Sequence, residues 1–382
     1  MMKMLKNAAM RASKRLFLLV VLILVALFAQ PALQLAVASP DSRPPLVSTT
    51  LPTTYGRMES YLFSLQQRYP KLITLEVYGS SFYGRKLYAA KLTGLPTQKP
   101  SIETSQSADA THTPTPPSPA PQQSAKRPAV LINAAHHGRE WISTTLSLYM
   151  LEQYCRAYEA GETIGGYNVR QVLDTSEIWF VPMVNPDGVA ISQSGLKSVP
   201  KKYRKKVRAW NYRKKSYTRW KANGQGIDLN SQYDVGWKLV RSSRKPQYAY
   251  YKGKRPLQAR ESRALVDLTL RTDAQMEVAY HSAGKVMYWG YKQTGTQRTR
   301  DFALAGQLSA ITGYRLLTSP AAGGGGFSDW FTNKQKRPGF TLELTTGKKG
   351  SSNLKEFPKT WNENKTVGLF LATEALRLTQ TP

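Results

Sequence analysis

Apolar positions along the chain alternate between two rhythms. Met58, Leu62 and Leu65 recur at helical spacing and predict a first helix ending near Tyr69-Pro70. Strand-like segments follow at 72–78 and 86–92, then an unbroken apolar run at 129–133, a helical period over 141–158 and another apolar run at 178–184. Farther on, helices are predicted at 256–271, 298–311 and 359–378, with strands at 276–281, 286–289 and 340–344. Strands alternating with helices predict an α/β sandwich around a mostly parallel or mixed sheet.

Two stretches break the rhythm. Between 94 and 127 the chain turns to Pro, Ser, Thr, Gln and Ala, which cannot bury a core and predicts a disordered surface insertion. Apolar strands flank it on both sides, so one domain over 55–380, preceded by a short leader at 39–54, is the simplest organisation. The N-terminus carries Lys3, Lys6, Arg11, Lys14 and Arg15, then an apolar run from Leu16 to Ala29, then Ala36-Val37-Ala38 before Ser39. That order is the pattern of a secretory signal over 1–38, with cleavage after Ala38; the alternative is a retained membrane anchor. A secreted or wall-associated location is expected. The single cysteine, Cys155, excludes an internal disulfide and lies in the apolar helical pattern of Leu146, Met150, Leu151 and Tyr154, so it reads as a buried thiol.

Charge adds a second constraint. The chain holds 54 Lys and Arg against 24 Asp and Glu, and loss of residues 1–38 would remove five of the basic residues and none of the acidic ones. So large an excess favours a polyanionic partner or surface. Twelve of the basic residues fall between Lys197 and Lys221, where no acid occurs and where Tyr203, Trp210, Tyr212, Tyr217 and Trp220 are interleaved. Basic and aromatic alternation suits single-stranded nucleic acid. A solvated loop or a dock for an anionic cell-wall polymer is the preferred reading for an exported chain, and no stable protein partner is expected.

Only four histidines are present, and His112 lies in the insertion. His137-Gly138-Arg139-Glu140 directly follows the strand at 129–133 and precedes a helix, the kind of strand end where α/β sheets bind ligands. A histidine and a glutamate three residues apart can face one point there. His281, at the end of the strand at 276–281, can complete a His₂Glu zinc set with one position open. A short H-x-x-E also arises by chance, which leaves ordinary loop histidines as the alternative. Glu343 stands in an otherwise apolar run, where a glutamate without a task would be costly to bury.

His137-Gly138-Arg139-Glu140-Trp141 resembles the H-x-R-E-W zinc motif of the metallocarboxypeptidase family. The resemblance continues in order through Asn185-Pro186-Asp187-Gly188, Gly226-Ile227-Asp228-Leu229-Asn230, His281-Ser282, Asp329-Trp330 and Phe340-Thr341-Leu342-Glu343-Leu344. It implies a three-layer α/β/α sandwich and one Zn²⁺ held by His137, Glu140 and His281. It further implies Glu343 as general base and acid, Arg139 and Asn230 as substrate contacts, and Asp228 as the acid that orients His137.

The chain also departs from that pattern. An arginine that clamps the substrate carboxylate should follow Asn230, yet Ser231 stands there and cannot form a bidentate ion pair. Pro320, Ala321 and Ala322 stand where a mobile tyrosine is expected. Gly224 and Gln225 stand where an oxyanion arginine is expected, with Arg213, Arg219 and Lys221 as candidates to replace it. Trp220-Lys221-Ala222-Asn223, Ser231-Gln232, His281-Ser282-Ala283-Gly284 and Met287-Tyr288-Trp289 are similar to bacterial γ-D-glutamyl-(L)-meso-diaminopimelate peptidases. That similarity implies a peptidoglycan stem peptide as substrate. The alternatives are a conventional carboxypeptidase and a catalytically silent, basic wall-binding protein.

Overall fold

Thr54 accepts a hydrogen bond from the Arg57 amide and starts helix α1 (Tyr55–Arg68), whose buried face is Met58, Leu62 and Leu65. Strands β1 (Ile73–Ser80) and β2 (Lys86–Thr93) follow, then β3 (Ala129–Ala134) and the long helix α2 (Ile142–Ala160). A short hairpin (β4, Thr163–Ile164; β5, Tyr167–Asn168), helix α3 (Val169–Thr175), strand β6 (Glu177–Val181) and helices α4 (Pro186–Ser194) and α5 (Arg204–Trp210) come next. The C-terminal half holds α6 (Arg260–Thr272), β7 (Met276–Ser282), β8 (Val286–Gly290), α7 (Gly295–Thr312) and β9 (Arg315–Thr318). It ends with α8 (Phe327–Trp330), β10 (Gly339–Leu344), α9 (Phe357–Asn364) and α10 (Val367–Gln380). This computed structural model describes residues 43–95, 126–318, 323–347 and 352–380. The expected export signal, nearly all of the 94–127 insertion and residues 320–322 lie outside them. Among the described residues no helix is long and apolar enough to cross a membrane.

Eight strands form one mixed sheet in the order β1-β2-β6-β3-β7-β10-β8-β9. The central neighbours β6-β3, β3-β7 and β7-β10 run parallel. Both faces are covered, which is why the middle strands read as continuous apolar runs. Val130 and Ile132 of β3 pack in one apolar cluster with Leu146 of α2 and Leu371 of α10. Leu131 points the other way, into a cluster with Leu265 of α6 and Phe331. Helices on both faces of the sheet make the three-layer α/β/α sandwich. Cys155 is fully buried, and burial pushes its thiol well above the ordinary range.

Where one helix is predicted over 359–378, the chain forms two, α9 and α10. The break is made from outside. The buried Tyr154 hydroxyl of α2 donates to the Lys365 carbonyl at 2.9 Å and accepts the Gly368 amide at 3.2 Å, satisfying groups that a helix end leaves open. Gly368 is required there, since a Cβ would lie 2.9 Å from the Tyr154 ring.

The basic segment also packs differently from its appearance in sequence. Tyr217 and Trp220 are buried with Ile191, Val199, Val207 and Ala222 in a small satellite cluster, and Tyr203 and Trp210 pack against it. Most of its aromatic rings therefore anchor the arm instead of offering faces on which bases could stack. Its Lys and Arg side chains apart from Lys221, with Lys201, Lys205, Lys206 and Arg213 among them, project into solvent.

Candidate active site

Three segments distant in sequence meet at the C-terminal ends of the central strands. The loop after β3 supplies His137 and Glu140, β7 supplies His281, and β10 supplies Glu343, which pairs in register with His281 on the neighbouring parallel strand. One side of the loop is held backbone to backbone. The Gly138 amide donates to the Lys221 carbonyl at 3.0 Å, and a Cβ on Gly138 would lie 2.3 Å from the Gly188 backbone. Asn185 secures the other side. Its side-chain oxygen caps α4 by accepting the Gly188 amide at 2.8 Å, and its amide donates to the His136 carbonyl at 2.9 Å. The Asn185-Pro186-Asp187-Gly188 motif thus serves as the spacer that seats the His137 loop.

His137, Glu140 and His281 are the cluster of metal-binding groups found among the described residues. His137 Nδ1 lies 2.9 Å from Glu140 Oε2, His281 Nδ1 lies 3.0 Å from the same oxygen, and the two ring nitrogens are 3.1 Å apart. Two nitrogens and a carboxylate oxygen so close together are the donor set of a catalytic zinc site, where ligand bonds near 2 Å place neighbouring donors about 3.3 Å apart. The triad fits one zinc ion. Burial would raise the Glu140 carboxyl, but the adjoining His137 and His281 outweigh it and hold that carboxyl well below the usual range.

The remaining expected residues gather around this triad. Asp228 Oδ1 lies 3.2 Å from His137 Nε2, the ring nitrogen turned away from the triad, and Asp228 Oδ2 accepts the Lys221 ammonium at 2.7 Å. Burial alone would lift the Asp228 carboxyl; Lys221 and His137 together carry it far below the ordinary range. Arg139 is buried, with Nε 3.7 Å from Glu140 Oε1. Burial pushes Glu343 up to about 7 against the opposing pull of His281, with Glu140 adding to the rise and Lys221 and Arg139 drawing it down. An open cleft beside it is lined by Asn230, Tyr288, Gly324, Gly326, Asp329, Thr341 and Glu343. Asn230 Oδ1 also accepts the Phe327 amide at 3.0 Å, and the Ser231 backbone packs on Gly325.

His136, which sequence alone could not separate from a loop residue, is fully buried. Its Nε2 lies 2.8 Å from the Tyr233 hydroxyl, and its ring stacks on His281 at 5.5 Å. Burial, followed by the neighbouring His281 and His137, holds its pKa well below the ordinary value, so it stays a neutral wall behind the triad. Its place directly before His137, two residues past an apolar strand, was the available signal.

A three-layer sandwich with a His-Glu-His triad at its strand ends defines the class: a zinc-dependent peptide hydrolase. The chain belongs to the zinc carboxypeptidase family, whose model matches residues 58–367. It is 33% identical over 241 residues to gamma-D-glutamyl-L-diamino acid endopeptidase 1 of Lysinibacillus sphaericus, an alignment covering 63% of this chain and 59% of that protein. The chain therefore aligns with well under two thirds of that relative's length. Among solved structures, thrombin activatable fibrinolysis inhibitor gives a TM-score of 0.63 at 18% identity, covering 89% of this chain and 79% of its own. Carboxypeptidase A from Helicoverpa armigera gives 0.62 at 17% identity, covering 91% and 79%. These two likenesses establish the fold.

Proposed function

We propose that this zinc peptidase is exported and hydrolyses γ-D-glutamyl-diamino acid bonds in peptidoglycan stem peptides. The observation that carries the reading is the charge of the cleft beside Glu343. Its described lining includes the carboxylates of Asp329 and Glu343 and no cation; Arg139 and Lys221 stand on the metal side, beside Glu140 and Asp228. A free C-terminal carboxylate calls for a cationic clamp, and Ser231 replaces it; the amine of a diamino acid suits an acidic lining. The printed activity of the Lysinibacillus relative points the same way. The charged, apolar and small-residue order of residues 1–38 supports export. The exposed basic arm supports retention on an anionic wall polymer.

In this reading His137, Glu140 and His281 hold the metal. A zinc ion held there would supply Lewis-acid polarisation of the scissile carbonyl and a lowered pKa for water. Asp228 fixes the ring of His137, Arg139 and Asn230 contact the peptide, and Ser231 leaves room where a clamp would stand. Glu343 takes a proton from the attacking water and returns it to the leaving nitrogen as the C–N bond breaks.

The zinc-loaded protein, incubated separately with an L-Ala-γ-D-Glu-diaminopimelate tripeptide and with an ordinary tripeptide of matched length, tests this by product mass. Cleavage of the γ-D-glutamyl bond is expected. Release of only the ordinary peptide's last residue would replace the proposal with a conventional carboxypeptidase, and inertness toward both would favour a silent binding protein.

A further inference from the structure

Both ring ligands of the triad carry an outer nitrogen, and the fold treats the two differently. On His137 that nitrogen, Nε2, lies 3.2 Å from Asp228 Oδ1, a carboxylate placed to fix the ring. On His281 the nitrogen facing the triad is Nδ1, 3.0 Å from Glu140 Oε2, and among the described residues no hydrogen-bond partner meets the buried Nε2. What holds the His281 ring is therefore packing. The His137 ring centre lies 4.6 Å away at an angle of 57°, and the His136 ring stacks at 5.5 Å and 23°.

We infer that His136 is a positioning residue for His281, and that its hydrogen bond to Tyr233 is what makes it one. A ring that only fills space can turn in its pocket. His136 is held at three points: its Nε2 lies 2.8 Å from the Tyr233 hydroxyl, the Phe327 ring packs 5.8 Å from its own, and its carbonyl accepts the Asn185 side-chain amide at 2.9 Å. An imidazole buried away from water is costly unless it is bonded, and the Tyr233 hydroxyl supplies that bond. An aliphatic side chain in the same place would have nothing to orient it. Tyr233 is itself fully buried, packed on Phe327 at 5.1 Å and Trp330 at 6.3 Å, and its amide donates to the Gly325 carbonyl at 3.0 Å. Gly325 stands between Gly324 and Gly326, which line the cleft. The brace behind His281 thus continues into the cleft wall, and one tyrosine supports both. The inference rests on the metal site of His137, Glu140 and His281 and is independent of which peptide is cleaved.

Tyr233→Phe, which removes one oxygen and keeps the ring, tests this in the whole protein. Zinc affinity, read in competition with a chromophoric chelator, should fall about tenfold. The visible absorption of the Co²⁺-substituted protein should shift, because that band follows ligand geometry. With whichever tripeptide the wild type cleaves, kcat should fall about tenfold while KM stays within about twofold, since the Gly325 contact is made by the Tyr233 backbone. His136→Phe keeps a ring against His281 without a bond to Tyr233 and should show the same losses. The double variant should lose no more than either single one, because both cut one link. Should Tyr233→Phe fail to fold, His136→Phe is read alone. A role in packing only gives a different pattern: the melting temperature falls, yet the folded variants bind zinc as tightly as wild type and keep its cobalt spectrum. That result, or losses that multiply in the double variant, overturns the inference. Wild-type zinc affinity, measured beside them, tests the triad itself, and a wild type that binds no zinc removes the inference with it.

Discussion

The metal cleft and the basic arm are joined at Lys221, yet they use charge in opposite ways. In the cleft Lys221, Asp228, His137 and Glu140 form a chain of contacts within hydrogen-bonding reach, and burial makes those contacts strong. On the arm, Lys and Arg side chains project into solvent from a small apolar cluster, where salt screens them and only their number matters. The charge around His137 is fixed and paired; the charge on the arm is solvated and repeated.

The largest effect should come from the metal set. Chelation is expected to abolish hydrolysis, added Zn²⁺ to restore it in wild type, and His281→Ala to remain inactive with zinc added; activity of the stripped enzyme would break the metal assignment. Glu343→Gln should keep its zinc and lose about 10²–10⁴-fold in kcat, read from turnover beside metal content. Asp228→Asn should weaken zinc binding by about 10–100-fold in competition with a chromophoric chelator, because His137 loses the carboxylate that aligns it. On the arm, changing Lys201, Lys202, Lys205, Lys206, Lys214 and Lys215 to Gln should cut retention on purified anionic wall polymer by about tenfold at low salt. It should leave turnover of a short soluble peptide within about twofold. Loss of peptide turnover in that variant would erase the distinction between the two regions.

A smaller effect concerns Glu277, fully buried in β7 with one oxygen accepting the Asn133 amide at 3.1 Å. Burial pushes its carboxyl from 4.5 up to about 8. The folded protein therefore keeps a proton that the unfolded chain has already released, so its contribution to stability is complete below about pH 4.5. That contribution is lost as pH rises through 8. Glu277→Gln should flatten this part of the pH profile of the melting temperature; an unchanged slope would refute the assignment.

Much of this molecule could be read from the chain because its central strands are buried on both faces. The run Ala129–Ala134 announces itself without any partner, and His137 and Glu140 follow it at once. Other features depend on residues that sequence cannot bring together. The break between α9 and α10 is made by the Tyr154 hydroxyl, more than two hundred positions away. The aromatic residues of 197–221 were visible, but only the fold shows that Trp220 and Tyr217 face inward. Lys221 belonged to a group of three candidates for a missing arginine, and the fold turns its ammonium toward Asp228 and the Tyr250 ring.

The glycine contact between the His137 loop and the arm bears on how such a protein can diversify. Gly195 packs against the Tyr217 ring at the arm's start and the Lys221 carbonyl receives the Gly138 amide at its end, so the first root folds back on the arm itself and the second is clamped to the metal loop. Lengthening or recharging the exposed stretch between them leaves the geometry of catalysis untouched, whereas one added methyl at Gly138 or Gly188 would disturb it. Length and charge in the arm can thus vary while the spacing of the triad stays the same.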